Sequence, residues 1–308
     1  MEIVCRFNVK SREIEMITQH GIKNCIDTIL RTGFAVANAP EPEYAAALSM
    51  NLPVELNALA RQTGDKNFTF SGCFVHQKPY ARFLTVNPKT RKRKCCELGD
   101  LMVLMREIGT AGEKYNCALF QLKKETTAKL NEVQFELYDR WPKFTVAKEM
   151  SKTAYDIRPK CNTPGALYMF IHETANPAIL DVSKPFEHMP PCRMEFSEYL
   201  WQFMNWRTGR PIGNQGQYGH DSWTHLIWDL QRFIEKAPIR SVGGMAIGSG
   251  NCRITNPLCH YLGSERSCEL GRICNEDFSD CEPFDRDPNE GFGVLLITRN
   301  QEKESKNE

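Results

Sequence analysis

The stretch that decides the reading is ELGDLMVLMREIGTAGEKYNCALFQLKK, Glu97 to Lys124. Leu101 to Met105 and Cys117 to Phe120 are short apolar blocks bounded by polar or turn residues, the pattern of strands buried within a sheet. Between them, Glu107 to Tyr115 holds Gly109 and Gly112, which can take the positive φ that a tight reversal needs. The segment therefore predicts a β-hairpin. Folded about Ala111, it sets Asp100 opposite Leu122, within one residue of both Gln121 and Lys123. Gln121 and Lys123, two apart, share one face. A one-residue change of register decides whether Asp100 shares it too.

These three side chains form a set with chemical meaning. Hydrolysis of a phosphodiester calls for a hard divalent cation, an activated water and positive charge near the developing anion. Asp100 can supply the anchoring carboxylate, the Gln121 carbonyl a second oxygen, and the Lys123 ammonium the charge that positions or activates water. Singly, each has a plainer reading. Asp100 after Gly99 suits a turn at a strand entrance, and Gln121 and Lys123 suit the solvated rim of an edge strand.

Working outward, Asn51 and Pro53 open a helix predicted over Pro53 to Gln62, with Glu55 in its first turn. Glu55 is a candidate third carboxylate, although a first-turn Glu also stabilises a helix N-terminus without further duty. Strands are predicted at Phe68 to Val75 and Ala81 to Val86. Next come Lys89, Arg91, Lys92, Arg93 and Lys94, five cations within six residues just before Glu97. They can grip a phosphate backbone, or simply form a solvated loop. Glu97 either joins the metal ligands or balances that run. A helix over Thr127 to Tyr138, stopped at Trp141-Pro142, and a strand at Ala166 to Ile171 complete the region.

The order of these elements, with Gly99-Asp100 before one strand and Gln121-Leu122-Lys123 ending the next, resembles the PD-(D/E)XK, restriction-endonuclease-like nuclease superfamily. Two departures stand out: no proline precedes Asp100, and glutamine replaces the acid, a Gln-X-Lys variant similar to that of Mrr-like branches. The resemblance spans roughly Asn51 to Arg140. It implies an α/β fold with a restriction-endonuclease-like mixed β-sheet core flanked by helices and followed by a C-terminal α+β elaboration. It implies Mg2+ or Mn2+ held by Asp100, Gln121 and Glu55, with Lys123 orienting water. The implied substrate is DNA, with RNA left open, and the implied setting is restriction or anti-phage defence.

The rest of the chain bounds these expectations. Its 308 residues can bury a large core, and a formal net charge of +1 leaves any attraction to nucleic acid to local patches. No run of 18 apolar residues occurs and no signal-like start is present, so no membrane span is expected and the cytoplasm is the expected location. Thirteen cysteines, an odd count, are then expected as reduced thiols. Cys252, Cys259, Cys268, Cys274 and Cys281, with His260, cluster near the C-terminus. A structural zinc there is the less favoured reading, since no Cys-X2-Cys knuckle is present.

The expected organisation is an N-terminal helical segment over 1–38, a nuclease core over 39–172, an elaboration over 173–298 that is Cys-rich near its end, and a disordered tail over 299–308. Helices are predicted at Ser197 to Trp206 and Ser222 to Lys236, and a strand at Gly291 to Thr298. A homodimer and a partner protein of a defence system are both open. The rival reading is a catalytically degenerate nuclease fold that serves as a nucleic-acid-binding or protein-interaction module, favoured by the missing acid at position 121. A cysteine hydrolase using Cys161 or Cys192 with His172, His220 or His225 has no nucleophile signature behind it.

Overall fold

Gly109 pairs with Gly112 at the closed end of the hairpin, so the reversal is made by Thr110 and Ala111 alone. Gly112 takes φ +110°, which a side chain would resist. The ladder then runs back without interruption to Leu101 opposite Phe120. The apolar blocks thus become long strands, and the whole predicted turn from Glu107 to Tyr115 is absorbed into them except its two central residues.

This structure is a computed structural model, and it describes residues 16–32, 39–75, 78–124, 131–146, 153–158, 165–172, 179–183, 194–214, 221–236, 279–282 and 291–301. Helices are α1 (Gln19–Thr32), α2 (Glu41–Met50), α3 (Leu52–Thr63), α4 (Glu132–Arg140), α5 (Phe196–Met204) and α6 (Ser222–Lys236). Strands are β1 (Phe68–Val75), β2 (Tyr80–Val86), β3 (Arg93–Glu97), β4 (Leu101–Gly109), β5 (Gly112–Lys124), β6 (Phe144–Thr145), β7 (Ala166–His172), β8 (Ile179–Ser183), β9 (Met194–Glu195), β10 (Arg210–Ile212) and β11 (Phe292–Asn300). The main sheet has eight strands in the order β1-β11-β4-β5-β7-β8-β9, with β10 also on β5, and β3-β2-β6 form a second, smaller sheet. Neighbours β11 and β4, and β5 and β7, are parallel; the other pairs are antiparallel. The fold is mixed α/β.

Central strands read as unbroken apolar runs because both faces of the sheet are covered. Leu101, Val103, Met105, Phe120 and Leu122 pack with α1, α2, α3 and α5 on one side. Met102, Leu104, Cys117, Leu119 and Tyr168 pack with α4, α6 and the small sheet on the other. Asp100, Gln121 and Lys123 fall in the second alternation, so they point toward α4 and the small sheet. At the outer strand β1, the Asn57 amide donates to the Phe70 carbonyl at 2.7 Å and accepts from the Phe70 N–H at 3.0 Å, supplying the pairing that a sheet edge lacks.

Several expectations change. β11 comes from the expected C-terminal elaboration and tail yet lies between β1 and β4, because two strands running parallel need a crossover and the chain supplies its last strand to that gap. The division at residue 172 is therefore not a division of the sheet, and Arg299 and Asn300 belong to β11 rather than to a disordered tail. Cys95 and Cys281 are joined in a disulfide with Cα atoms 5.9 Å apart, so the expectation of reduced thiols fails for this pair. Cys252, Cys259, Cys268, Cys274 and His260 lie outside the described residues, as do Cys161, Cys192 and His220. Among the described residues, no helix is long and apolar enough to cross a membrane.

Helix α2 lies unusually close to the sheet. A Cβ on Gly72 would meet the Ser49 carbonyl oxygen at 1.9 Å and that of Val294 at 2.6 Å, and one on Gly293 would meet the Ala45 carbonyl oxygen at 2.8 Å. Both obstacles at Gly72 are backbone, which cannot swing aside. Gly72→Ala is therefore expected to destabilise the fold by about 3 kcal/mol, the upper end of overpacking costs. Gly64→Ala meets no atom within 4 Å and bears only the strain of φ +71°, about 1 kcal/mol. Urea midpoints of the two variants check this contrast.

Candidate cation-binding active site

Register places Asp100 directly opposite Gln121, one step beyond the last ladder pair, rather than opposite Leu122 as the sequence predicted. The shift follows from the tighter turn: two residues at the tip instead of a fold centred on Ala111 move every partner by one. Gln121 in turn neighbours Tyr168 on β7, and Lys123 neighbours Phe170. Asp100, Gln121 and Tyr168 therefore form a polar row across three strands at one level of the sheet.

The Asp100 side chain is 1% exposed, and Gln121 equally so. A carboxylate at that depth must be met by donors. Gln121 Nε2 and, at 2.8 Å, the Leu122 N–H both donate to Asp100 Oδ2. The Lys78 ammonium stands 2.9 Å from Asp100 Oδ1 and 3.0 Å from Glu97 Oε2. The backbone holds the acid from both sides, with the Asp100 N–H on the Phe120 carbonyl and the Asp100 carbonyl accepting from Gly293. Gly99 is required beside it, since a Cβ there would lie 3.0 Å from the Tyr138 hydroxyl and 3.2 Å from the Phe120 carbonyl oxygen. That hydroxyl donates to the Leu98 carbonyl at 2.7 Å, tying α4 to the strand entrance.

This geometry explains the glutamine. With Asp100 ionised, the residue facing it across the ladder has to offer N–H, and an acid at 121 would set two carboxylates against each other. The arrangement leaves the Gln121 Oε1 buried without a hydrogen bond among the described residues, together with Asp100 Oδ1, Gln134 Oε1 and the Tyr168 hydroxyl. Asp100 Oδ1 thus has an ion pair but not a well-directed hydrogen bond. Several acceptor oxygens with unfilled lone pairs in one buried place make a donor set suited to a hard cation. No group of three or more His, Cys, Asp or Glu side chains is arranged for a metal among the described residues. The oxygens that could hold a cation here are those of Asp100 and Glu97 and the Gln121 amide oxygen.

Charge compensation is incomplete. For Lys78 burial acts to lower the pKa, but Asp100 and Glu97 outweigh it and hold the ammonium above its ordinary range. Burial pushes Glu97 up; Lys78 opposes that rise, Asp100 adds to it, and Lys123 is near enough to oppose it as well. One ammonium shared by two carboxylates leaves a net negative charge in a poorly solvated place. Gln134 Nε2 adds a hydrogen bond to Glu97 Oε2 at 3.3 Å.

Lys123 does not touch Asp100. Its ammonium pairs with Glu41 Oε2 at 3.3 Å, and the Lys124 N–H donates to Glu41 Oε1 at 3.1 Å. Glu41 begins α2, and the close seat of that helix on Gly72 and Gly293 brings it to the end of β5. Exposure rises from Lys78 at 5% through Glu97 at 12% and Lys123 at 16% to Glu41 at 26%, so the site opens along that side.

Glu55 is not part of this site. It sits in the first turn of α3, whose Leu52, Leu56 and Ala60 pack on the opposite face of the sheet, and its electrostatic neighbour is Cys25, a thiol that burial pushes up to about 11. Its acid belongs to the helix N-terminus. Lys78, Glu41 and Gln134 escaped the sequence reading. Lys78 and Glu41 adjoin prolines outside any motif, and only burial marks them as paired charges.

The basic run is divided. Arg93 and Lys94 are in β3: Lys94 pairs with Glu136 at 2.7 Å, and Arg93 lies 3.9 Å from Asp280, which also approaches Arg82. Lys89, Arg91 and Lys92 have no ion pair among the described residues, and Arg91 takes a left-handed φ of 57° at the turn. Glu282 accepts from the Asn87 amide and the Thr90 hydroxyl, at 2.8 and 2.9 Å, and so fastens the turn.

No family model matches the chain, and neither a curated protein nor a solved structure is detectably similar to it.

Asp100→Ala leaves Leu122 N–H and half of the Lys78 compensation without a partner, and is expected to cost about 3–5 kcal/mol. Asp100→Asn keeps an acceptor for Leu122 and should cost clearly less. The raised Glu97 pKa has a defined sign: its stabilising effect is fully present below the ordinary glutamate pKa and is lost as pH rises through the folded-state value. Glu97→Gln should therefore remove a fall in stability with rising pH above the carboxylate range. Urea denaturation of the three variants across pH measures both effects.

Proposed function

We propose that the chain is a metal-dependent phosphodiesterase, an endonuclease acting on nucleic acid, of restriction-endonuclease-like type. The observation that carries the reading is the facing pair Asp100 and Gln121 across β4 and β5, with the buried, unbonded Gln121 Oε1 beside the carboxylate. Bound there, Mg2+ or Mn2+ would lower the pKa of a coordinated water and polarise the phosphoryl oxygen. Asp100 and Glu97 would hold the ion, joined by the oxygen of the Gln121 amide once that amide turned. Lys123, on the same face and nearer solvent, positions the attacking water and meets charge developing on the phosphate. Glu41 keeps that ammonium extended at the strand end, and Glu97 takes the ligand place the sequence offered to Glu55. Lys89, Arg91 and Lys92 provide sequence-independent grip on a backbone.

DNA is the proposed substrate, with RNA tested beside it, and restriction or defence against invading DNA is the proposed setting; both rest on the motif resemblance. A second reading, a non-catalytic nucleic-acid or protein-binding module, draws on a different observation. Asp100 is already compensated by Lys78 and scarcely exposed, as a purely structural ion cluster would be.

Nicking of supercoiled DNA and cleavage of RNA, titrated with Mg2+ and Mn2+, decides between the two. Asp100→Asn and Lys123→Met are expected to lose cleavage by about 100-fold or more while still folding cooperatively, because groups acting as one unit fail together. Wild-type rates in either variant remove that residue from the catalytic site, and no cleavage by the wild type favours the binding module. Changing Lys89, Arg91 and Lys92 to Gln should lower the log–log salt slope of duplex binding by about 0.9 for each lost phosphate contact. Lys94→Gln should leave the slope unaltered, since Glu136 already holds that charge.

A further inference from the structure

Lys78 is the least expected member of the cluster, and the proposed reaction does not use it. Its ammonium lies between Glu97 Oε2 and Asp100 Oδ1, at 3.0 and 2.9 Å. Any ion that is to meet both carboxylates has to enter the same place. We propose that the Lys78 ammonium is the resident placeholder of the divalent-cation site, so that ion and ammonium exclude each other and the ion binds by displacing the lysine. The inference rests on the metal-dependent reading above and specifies how that site is governed.

Three observations converge on it. The first is charge. Glu41, Glu97 and Asp100 face the two ammonium groups of Lys78 and Lys123, leaving one negative charge. Adding a divalent ion while Lys78 stays would leave the cluster positive by one and set like charges in contact at low solvation. Exchanging Lys78 for the ion leaves it neutral.

The second is unfilled bonding capacity. Lysine satisfies the carboxylates as a point charge, yet among the described residues Asp100 Oδ1 has only that ion pair and Gln121 Oε1 has no hydrogen bond in a buried place. A hard cation coordinates several oxygens at once and would fill both, which an ammonium here does not.

The third is mechanical. The backbone next to Lys78 is fastened, because the Pro79 carbonyl accepts the Leu98 N–H at 2.8 Å and Tyr80 begins the pairing of β2 with Glu97. Displacement therefore needs only the flexible four-carbon stem of one side chain to swing, with the strands unchanged. Without the ion, Lys78 keeps two buried carboxylates compatible with the fold. Metal affinity is correspondingly held down by the competing ammonium.

The test is Mn2+ titration by calorimetry into the full chain, with melting temperatures recorded with and without Mn2+. Lys78→Met removes the competitor, and Lys78→Gln keeps N–H donors for both carboxylates so that folding survives without the ion. Both are expected to bind Mn2+ at least about tenfold more tightly than wild type, the usual scale of coupling between competing occupants. Lys78→Met should melt lower than wild type in the absence of Mn2+ and recover when it is added. Lys78→Arg, which keeps the charge, should bind no more tightly than wild type. If the wild type binds Mn2+ and the Gln variant binds it equally or less tightly, displacement is wrong while the metal-dependent reading stands. If neither the wild type nor any variant binds Mn2+, both fall.

Discussion

Everything at the site depends on one ladder. Because the β4–β5 hairpin closes with two residues between Gly109 and Gly112, each residue of one strand has a single allowed partner on the other, and the two numbers always differ in the same way along the ladder. Asp100 can only meet Gln121. A slip of β5 by one would exchange Cys117 and Leu119 with Ala118 and Phe120 between the two cores, so the fitted packing on both faces locks the register. The chemistry at the strand ends inherits its geometry from apolar packing several residues away.

Burial that fixes register also makes the carboxylates costly. Asp100 survives in the interior because an amide, a backbone N–H and an ammonium converge on it, and the glutamine that looks like a lost acid in the motif is the residue such a neighbour requires. Glu97 is pushed up by the same burial. In the proposed cation site, stability and ion binding would draw on the same atoms: what keeps the fold intact without an ion is what an ion would have to replace. Such a site would trade affinity for a protein that folds before it is loaded.

Close backbone contact sets the far side of the opening. Helix α2 is rich in small residues, Ala45, Ala46, Ala47 and Ser49, and it rests on Gly72 and Gly293 of adjacent strands. Larger residues at those glycines would lift the helix, and with it Glu41 from Lys123 and Lys124. On the other side, the Cys95–Cys281 disulfide spans 186 residues of sequence and brings Asp280 and Glu282 against the turn that carries the basic run. Those acids occupy part of the positive charge. The free portion narrows to the turn itself.

By itself the sequence determined the elements and their types. Phe68 to Val75 and Ser222 to Lys236 come out as read, and Asp100, Gln121 and Lys123 can be placed on one hairpin, because alternation and helical spacing are local properties that tertiary contacts reinforce here rather than oppose. Tertiary structure decided what periodicity cannot encode. It chose Gln121 over Leu122 as the partner of Asp100, inserted β11 beside β4, assigned Glu55 to the far face, and gathered Lys78, Glu97, Gln134 and Glu41 around the motif. Those outcomes turn on which distant residues share a buried volume. A charge becomes costly, and so acquires an obligatory partner, only once the fold has removed it from water.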